Sequence, residues 1–347
     1  MREGLAELLA CPDCGGSLEV GVDRRDGDEI DTGRLLCGSC GSRFGIRGGI
    51  PRMRRAMEEL EEVRESFSYQ WKAHHAGRLE RDTVFGRTLE EDWRHFTYGT
   101  RVGEPELAGM LVLDAGCGSG SLTRQIAEHD AEVVGADINE ALDEMRARNR
   151  DLPNLHVVQA NLMALPFPEQ SFDLVWSCGV IHHTPDAAAA FRALARHVKP
   201  GGVLFVWVYP KRFNPFRATK TAFDAVGLGR LPPPTIMRIS KALSYPSLAL
   251  LWAYRLLRRL PGLRPRSPWG RHTLKPRTLR EIQITWNDAL SPRYDSRHSE
   301  EEVIGWFEAA GFTDIETMEE PKVGVRGVAP GRGPARSSVV EPQRAGV

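Results

Sequence analysis

The run Leu111-Val-Leu-Asp-Ala-Gly-Cys-Gly-Ser-Gly120, with Val133-Val-Gly-Ala-Asp137 behind it, constrains this chain more than any other stretch. Three apolar residues entering Asp114 read as a buried parallel strand, because a strand covered on both faces has no need to alternate polar and apolar positions. Gly116, Gly118 and Gly120 then let the backbone turn tightly into a helix over residues 122–128 and leave room for a ligand against the turn. The amides at that helix start favour the ligand's anionic group. A second strand ends at Asp137, where a carboxylate can accept hydrogen bonds from both hydroxyls of a ribose. An adenosine derivative is the expected ligand.

The spacing decides which one. A dinucleotide turn needs Gly-x-Gly-x-x-Gly, whereas here the third glycine comes one residue early and Ser121 follows it. A carboxylate at Asp114 would also repel a pyrophosphate. It suits a zwitterionic amino acid bearing a sulfonium, because Asp114 helps hold the ammonium while the loop amides hold the carboxylate. The Asp-x-Gly-x-Gly-x-Gly of residues 114–120 resembles the first motif of the class I S-adenosylmethionine-dependent methyltransferases, specifically the methyltransferase type 11 group.

That resemblance implies an α/β fold, a doubly wound, seven-stranded, Rossmann-like sheet, with S-adenosyl-L-methionine held by Asp114, Gly116, Gly118, Gly120 and Asp137. It also places Asn161 beside the adenine amino group. Family members usually carry Asp there, and Asn accepts through its amide oxygen, with the backbone of Leu162 as a further adenine contact. A fourth strand, Leu174-Val-Trp-Ser-Cys-Gly-Val, is expected to aim Ser177 and Cys178 at the reactive methyl. His182 and His183 follow, ahead of a helix that Thr184 would cap with Pro185 at its first position. Either histidine is a candidate general base, the alternative being a pair that only fixes the turn.

Val198-Lys-Pro-Gly-Gly202 reads as a tight turn into a fifth strand, residues 203–209. Ser299 with Glu302 forms a capping box for a last helix that Gly311 ends, and residues 313–318 and 323–328 read as a closing antiparallel hairpin. Five strand-helix steps with this punctuation describe a parallel sheet covered on both faces.

Ahead of this core, Cys11-Pro-Asp-Cys14 and Cys37-Gly-Ser-Cys40 make two knuckles separated by 22 residues. Four thiolates from Cys11, Cys14, Cys37 and Cys40 suit a closed tetrahedral zinc site, hence a structural one; the alternative is a redox dithiol. The stretch through Pro51 resembles the small zinc-ribbon proteins that activate certain methyltransferases, here fused to the core. Between them lie aromatic residues Phe67, Tyr69, Trp71, Phe85, Trp93, Phe96 and Tyr98, read as a packed cap from which some rings form a lid, and His74 and His75, read as surface residues.

The expected organisation is therefore a ribbon (1–55), a helical connector (56–105), the core (106–209), an insertion (210–298), the end of the core (299–330) and a disordered tail (331–347). The chain is neutral, with 46 basic and 46 acidic residues, yet residues 211–280 hold 16 Lys or Arg against one acid, Asp224. Such a basic, apolar-rich helical insertion fits a membrane surface or a greasy substrate, or else a subdomain whose charge balances acidic surface elsewhere. Tyr294 and His298 are candidates for lining the acceptor pocket. No apolar run is long enough to span a bilayer and the first residues lack a signal segment, so a cytoplasmic protein, peripheral to the membrane at most, is expected.

A small-molecule or lipid-like methyl acceptor is favoured, because the fourth strand ends in Ser-Cys-Gly-Val and not in the Asn/Asp-Pro-Pro-aromatic of enzymes that methylate base amines. The rival readings are a ribosomal RNA guanine methyltransferase, with the basic insertion on phosphates, and a non-catalytic scaffold.

Overall fold

The computed structural model describes residues 1–53, 58–80, 83–85, 87–211, 215–225, 227, 231–258, 278–318 and 323–331. The tail expected to be disordered lies outside them beyond Gly331, as do residues 259–277 of the insertion. Helix α1 (Glu3–Leu8) and strands β1 (Leu18–Asp26), β2 (Glu29–Cys37), β3 (Arg43–Arg47) and β4 (Ile50–Arg52) build the ribbon. Helix α2 (Glu58–His75), hairpin β5 (Thr83–Val84) and β6 (Arg87–Thr88), and helices α3 (Leu89–Thr100) and α4 (Glu104–Leu107) lead into the core. There β7 (Leu111–Ala115), α5 (Ser121–Ala127), β8 (Glu132–Asp137), α6 (Leu142–Arg148), β9 (Leu155–Gln159), β10 (Phe172–Cys178), α7 (Ala187–Arg196) and β11 (Val198–Trp207) follow. Helices α8 (Pro215–Ala225), α9 (Pro233–Arg258) and α10 (Leu279–Leu290) form the insertion, and α11 (Glu300–Ala309), β12 (Thr313–Thr317) and β13 (Gly324–Val328) complete the sheet.

The seven core strands run β9-β8-β7-β10-β11-β13-β12, the first five mutually parallel and β13 antiparallel to both neighbours. Successive residues of each strand feed opposite apolar layers. Leu113, Val134, Val158, Val175 and Leu204 meet Phe191 of α7 and Phe307 of α11. Val112, Val133, Trp176 and Phe205 meet Phe96 of α3 and Ile126 of α5. Trp176 and Phe205 stack with ring centroids 4.3 Å apart. Strand order reverses between β7 and β10, so the loops leaving those strands diverge and open a crevice at their carboxyl ends.

Two local expectations are corrected. The fifth strand starts earlier than expected, at Val198: Phe172 pairs with Val198 and Leu174 with Val203, and the residues between, with Gly201 at φ +76°, bulge out of the pairing within the strand. The cap of α7 is Asp186, whose side chain accepts from Ala189 N at 2.9 Å, while the Thr184 hydroxyl turns back to Ile181 O at 2.6 Å. The Ser299–Glu302 box and the closing hairpin form as expected.

The ribbon does not stand apart. Its β4 lies parallel to β9, with Arg52 opposite Gln159 and Met53 N donating to Gln159 O at 2.8 Å, so one sheet of eleven strands runs through both parts. Leu35 and Ile46 of the ribbon join the same apolar layer as Val158. Arg2 donates to Leu152 O and Leu155 O at 2.8 and 3.1 Å, Arg146 of α6 donates to Gly48 O at 2.8 Å and pairs with Glu29, and Arg52 pairs with Asp143.

The four cysteine sulfurs lie within 4.8 Å of one another, with Cys11 to Cys40 at 3.6 Å and Cys14 to Cys37 at 3.4 Å. Zinc at about 2.3 Å from four thiolates sets the sulfurs roughly 3.8 Å apart, which these residues match. Such a shell leaves no open position, so the metal is structural. Metal analysis is expected to find one zinc per chain, and chelation to make the ribbon the first region cut in limited proteolysis. Phe205→Ala is expected to cost about 3–5 kcal/mol in denaturant titration.

Candidate active site

Strand β7 delivers Asp114 to the crevice, buried, with one oxygen accepting from Thr123 Oγ1 at 2.6 Å. Burial pushes its carboxyl up to about 7, against the Thr123 bond and with help from the nearby Asp137 charge. The turn that follows is held by contacts that only glycine permits. Gly116 has φ +90°, and a Cβ there would sit 2.3 Å from Val180; Gly118 has φ +53°, and a Cβ would sit 2.8 Å from the Trp71 ring. Asp137, at the end of β8, accepts from Gly118 N and from Asn139 N, each at 2.9 Å. Burial raises its carboxyl too, against those bonds. Each carboxylate oxygen has a second lone pair, so acceptor capacity remains for a ligand.

Of the loop amides, those of the three glycines are engaged within the turn, while Ser119 and Leu122 also line the cavity. The amides of Gly116 and Gly120 donate to Ala136 O and Cys117 O at 2.7 and 2.9 Å, and that of Gly118 to Asp137, so these three are already used. The cation on the cavity wall is Arg87, in β6, paired with Asp92 of α3 at 2.6 Å.

The cavity at this point encloses about 350 Å3. Asp114, Gly116, Gly118, Asp137, Asn161 and Leu162 all line it, and Gly120 sits just behind against Met145. Asn161 also closes its own turn, its Oδ1 accepting from Met163 N at 3.0 Å. Helix α2 supplies an apolar wall of Leu60, Val63, Phe67 and Trp71. Phe85 joins this wall, whereas Trp93 and Phe96 pack in the core behind it. His74 and His75, read as surface residues, are buried; both fall on the inward side of α2, with His74 edge-on to Trp71 at 5.7 Å.

Ser177 is also corrected. Its hydroxyl donates to Ala115 O at 3.0 Å, wholly buried within the sheet, and Cys178 and Gly179 reach the cavity in its place. The two histidines separate in the same way. His182 is enclosed, stacked on Tyr209 with centroids 3.9 Å apart, and burial holds it neutral, well below its ordinary range. It does not line the cavity. His183 does, with Nδ1 2.9 Å from Tyr294 O. A carbonyl partner requires the proton on Nδ1, which leaves Nε2 a basic lone pair, buried and with no hydrogen-bond partner.

Tyr294 and His298 do not line the cavity. Tyr294 contributes its carbonyl to His183, and His298 bonds Glu302 at 3.0 Å and Ser296 at 2.9 Å. The residues opposite the glycine loop are instead Tyr209, past the end of β11, and Thr285 and Asp288 of α10, with the Tyr209 hydroxyl donating to Asp288. Burial raises the Asp288 carboxyl. Sequence reading missed them, although Glu281, Thr285 and Asp288 recur at the spacing of one helix face.

Residues 113–206 match the family model described as a methyltransferase domain, and residues 2–49 that of the Trm112p-like proteins. The ubiquinone/menaquinone biosynthesis C-methyltransferase UbiE of Shewanella oneidensis is 33% identical over 164 residues, covering 45% of this chain and 63% of its own. That of Vibrio vulnificus is 34% identical over 165 residues, covering 45% and 61%. The chain thus spans less than two thirds of the length of these relatives. Among solved structures, a complex of the Haloferax volcanii Trm112 methyltransferase activator with a putative methyltransferase superposes over 78% of this chain and 99% of that one, with 17% identity and TM-score 0.43. An S-adenosylmethionine-dependent methyltransferase from Mesorhizobium loti covers 37% and 60%, with 29% identity and TM-score 0.30. The methyltransferase-domain match thus falls on the parallel sheet and its glycine loop, and the Trm112p-like match on the four-cysteine segment ahead of it in the same chain.

Proposed function

We propose that this chain transfers a methyl group from S-adenosylmethionine to a small, lipid-like acceptor. The reading rests on one observation: two buried carboxylates, Asp114 and Asp137, flank a glycine turn at the mouth of a largely apolar cavity. S-adenosylmethionine supplies a methyl made electrophilic by its sulfonium. In this reading Asp137 holds the ribose hydroxyls, Asn161 and Leu162 the adenine, and Asp114 the cationic amino-acid end. Arg87, on the cavity wall, meets that end's carboxylate together with the remaining loop amides. His183 Nε2 accepts the proton that the acceptor atom loses as its bond to the methyl carbon forms and the carbon–sulfur bond breaks, releasing S-adenosylhomocysteine. Positioning supplies most of the rate, since the leaving group is already good.

Phe67, Phe85 and Trp207 add to the apolar character of the cavity, which suits a greasy acceptor better than a nucleobase on a charged backbone. A lipid-like acceptor has to be met where it partitions, so contact of the basic insertion with a membrane surface is part of the proposal. We place the activity in the reducing cytoplasm, where four free thiols stay available to a metal. Salt-sensitive RNA binding would favour the ribosomal RNA reading, and cofactor binding without turnover the scaffold. The deciding experiment incubates the protein and isotopically labelled cofactor with a cell extract. A one-methyl mass shift on an extractable small molecule is expected.

Asp137→Ala is expected to weaken cofactor binding about 10- to 100-fold by calorimetry. His183→Gln is expected to leave that affinity unchanged while lowering single-turnover transfer about 100-fold or more. The pH dependence follows from Asp114, whose carboxyl rises from an ordinary 3.8 to about 7 in the folded protein. Between those values the folded state binds the extra proton, so this group's contribution to stability is present at low pH and lost as pH rises toward 7. A cationic ligand favours the ionised form. Cofactor affinity should therefore climb with pH up to about 7 and then level, with proton release in calorimetry that Asp114→Asn abolishes.

A further inference from the structure

Helix α9 carries large apolar residues on its water-facing side as well as on its buried side, where Ile236, Met237 and Leu251 pack. Its inner side carries Ser240, Ser244 and Ser247, whose hydroxyls turn back onto the carbonyls of Ile236, Ser240 and Leu243 at 2.8, 2.6 and 2.7 Å. That side packs on α10, where Trp286 Nε1 donates to Ser247 at 2.9 Å. Its outer side carries Tyr245, Trp252 and Leu256, which are 56, 60 and 64% exposed. Positions 245, 249, 252 and 256 recur every three or four residues, so Tyr245, Ala249, Trp252 and Leu256 form one exposed stripe along the helix, with Leu250, 63% exposed, off to its side. A contiguous apolar stripe of this kind on a polar-rimmed helix marks a surface that meets something other than water.

Charge indicates what covers it. Arg238 and Lys241 are exposed on the same helix, and the Arg255 guanidinium lies over the Trp252 ring, 5.7 Å from its centroid. The segment from 211 to 280 carries 16 basic residues and one acid. A second copy of this chain would bring the same positive charge against the stripe, whereas an anionic bilayer complements both the charge and the apolar side chains. Among the described residues no helix is long and apolar enough to cross a membrane. The fitting geometry is therefore a helix lying in the interface. Helix α9 packs on α10 and α2, and those two helices contribute Thr285, Asp288, Leu60 and Phe67 to the cavity. Lipid-facing surface and cavity thus share one wall.

We propose that the outer face of α9 docks this protein on an anionic lipid bilayer, through Tyr245, Trp252 and Leu256 inserted among acyl chains and Arg238 and Lys241 at the phosphates. The proposal deepens the reading of a lipid-like acceptor, but its test needs no methyl transfer. The full chain is floated with vesicles of phosphatidylglycerol and phosphatidylcholine in equal parts, and with phosphatidylcholine alone. Flotation with the anionic vesicles is expected, weakened by salt and by the neutral lipid. Trp252→Glu with Leu256→Glu should reduce it about tenfold or more, and each of Arg238→Gln and Lys241→Gln about fivefold. Cofactor binding by calorimetry should persist in every variant, which certifies the fold. Absence of flotation with anionic vesicles, or flotation that the Glu variants leave intact, overturns the proposal. So does a wild-type dimer in sedimentation that Leu256→Glu converts to monomer without any vesicle binding, which would assign the stripe to a second copy. Failure of cofactor binding in the wild type would sink the methyltransferase reading and leave the flotation result standing.

Discussion

The hydrogen bonds that Asp137 accepts from Gly118 and Asn139 hold the rest of the site in place. They tie the end of β8 to the turn after β7, so two neighbouring strands and one loop become a single rigid rim. A carboxylate buried at this point stays ionised only if it is met by donors, and the backbone provides two. Asp114, close by, has one hydroxyl partner and a much poorer environment for charge, which is why its carboxyl rises to about 7. The two acids are thus set apart by their surroundings. One is already braced by the backbone, and the other gains most from a cationic ligand.

Helix α6 connects this rim to the ribbon. Its outer face sends Arg146 to Gly48 O and Glu29 and pairs Asp143 with Arg52. Its inner face puts Met145 against Gly120, with the sulfur 3.6 Å from Cys117 Sγ. The zinc ribbon therefore braces the helix that backs the glycine turn, and the continuous sheet through β4 and β9 adds a second support. A short ribbon with few apolar residues gains from this as well, since Leu35 and Ile46 share the large core.

On the opposite side the cavity is closed by elements distant in sequence. Helix α2 precedes the core and α10 follows it, yet Gln70 and Asn287 bond across them at 2.7 Å, and the Tyr209 hydroxyl reaches Asp288. This wall of the cavity is thus made by the insertion and the connector together, while the core strands supply the glycine turn and its two acids.

Most of the cofactor side was legible in the chain itself. Residues 111–120 and 133–137 carry strand, bend and acid in a local order that admits few folds, because buried parallel strands and glycine turns are specified by near neighbours. The paired cysteines were legible for the same reason, metal ligation depending on residue type and short spacing. Side-chain direction was not. Whether Ser177 or Cys178 faces the crevice depends on the phase of a pleated strand against its neighbours, and one residue of phase sends the hydroxyl to Ala115 O. The same holds for His182 and His183, of which only the second meets the cavity because Tyr294, more than a hundred residues on, anchors its ring. Sequence alone determined the ligand chemistry of the glycine turn and the zinc ribbon, where the deciding contacts are local. Tertiary structure decided which side chains share the cavity, how the ribbon joins the sheet and which face of α9 meets solvent, because each of those is settled by packing between segments far apart in the chain.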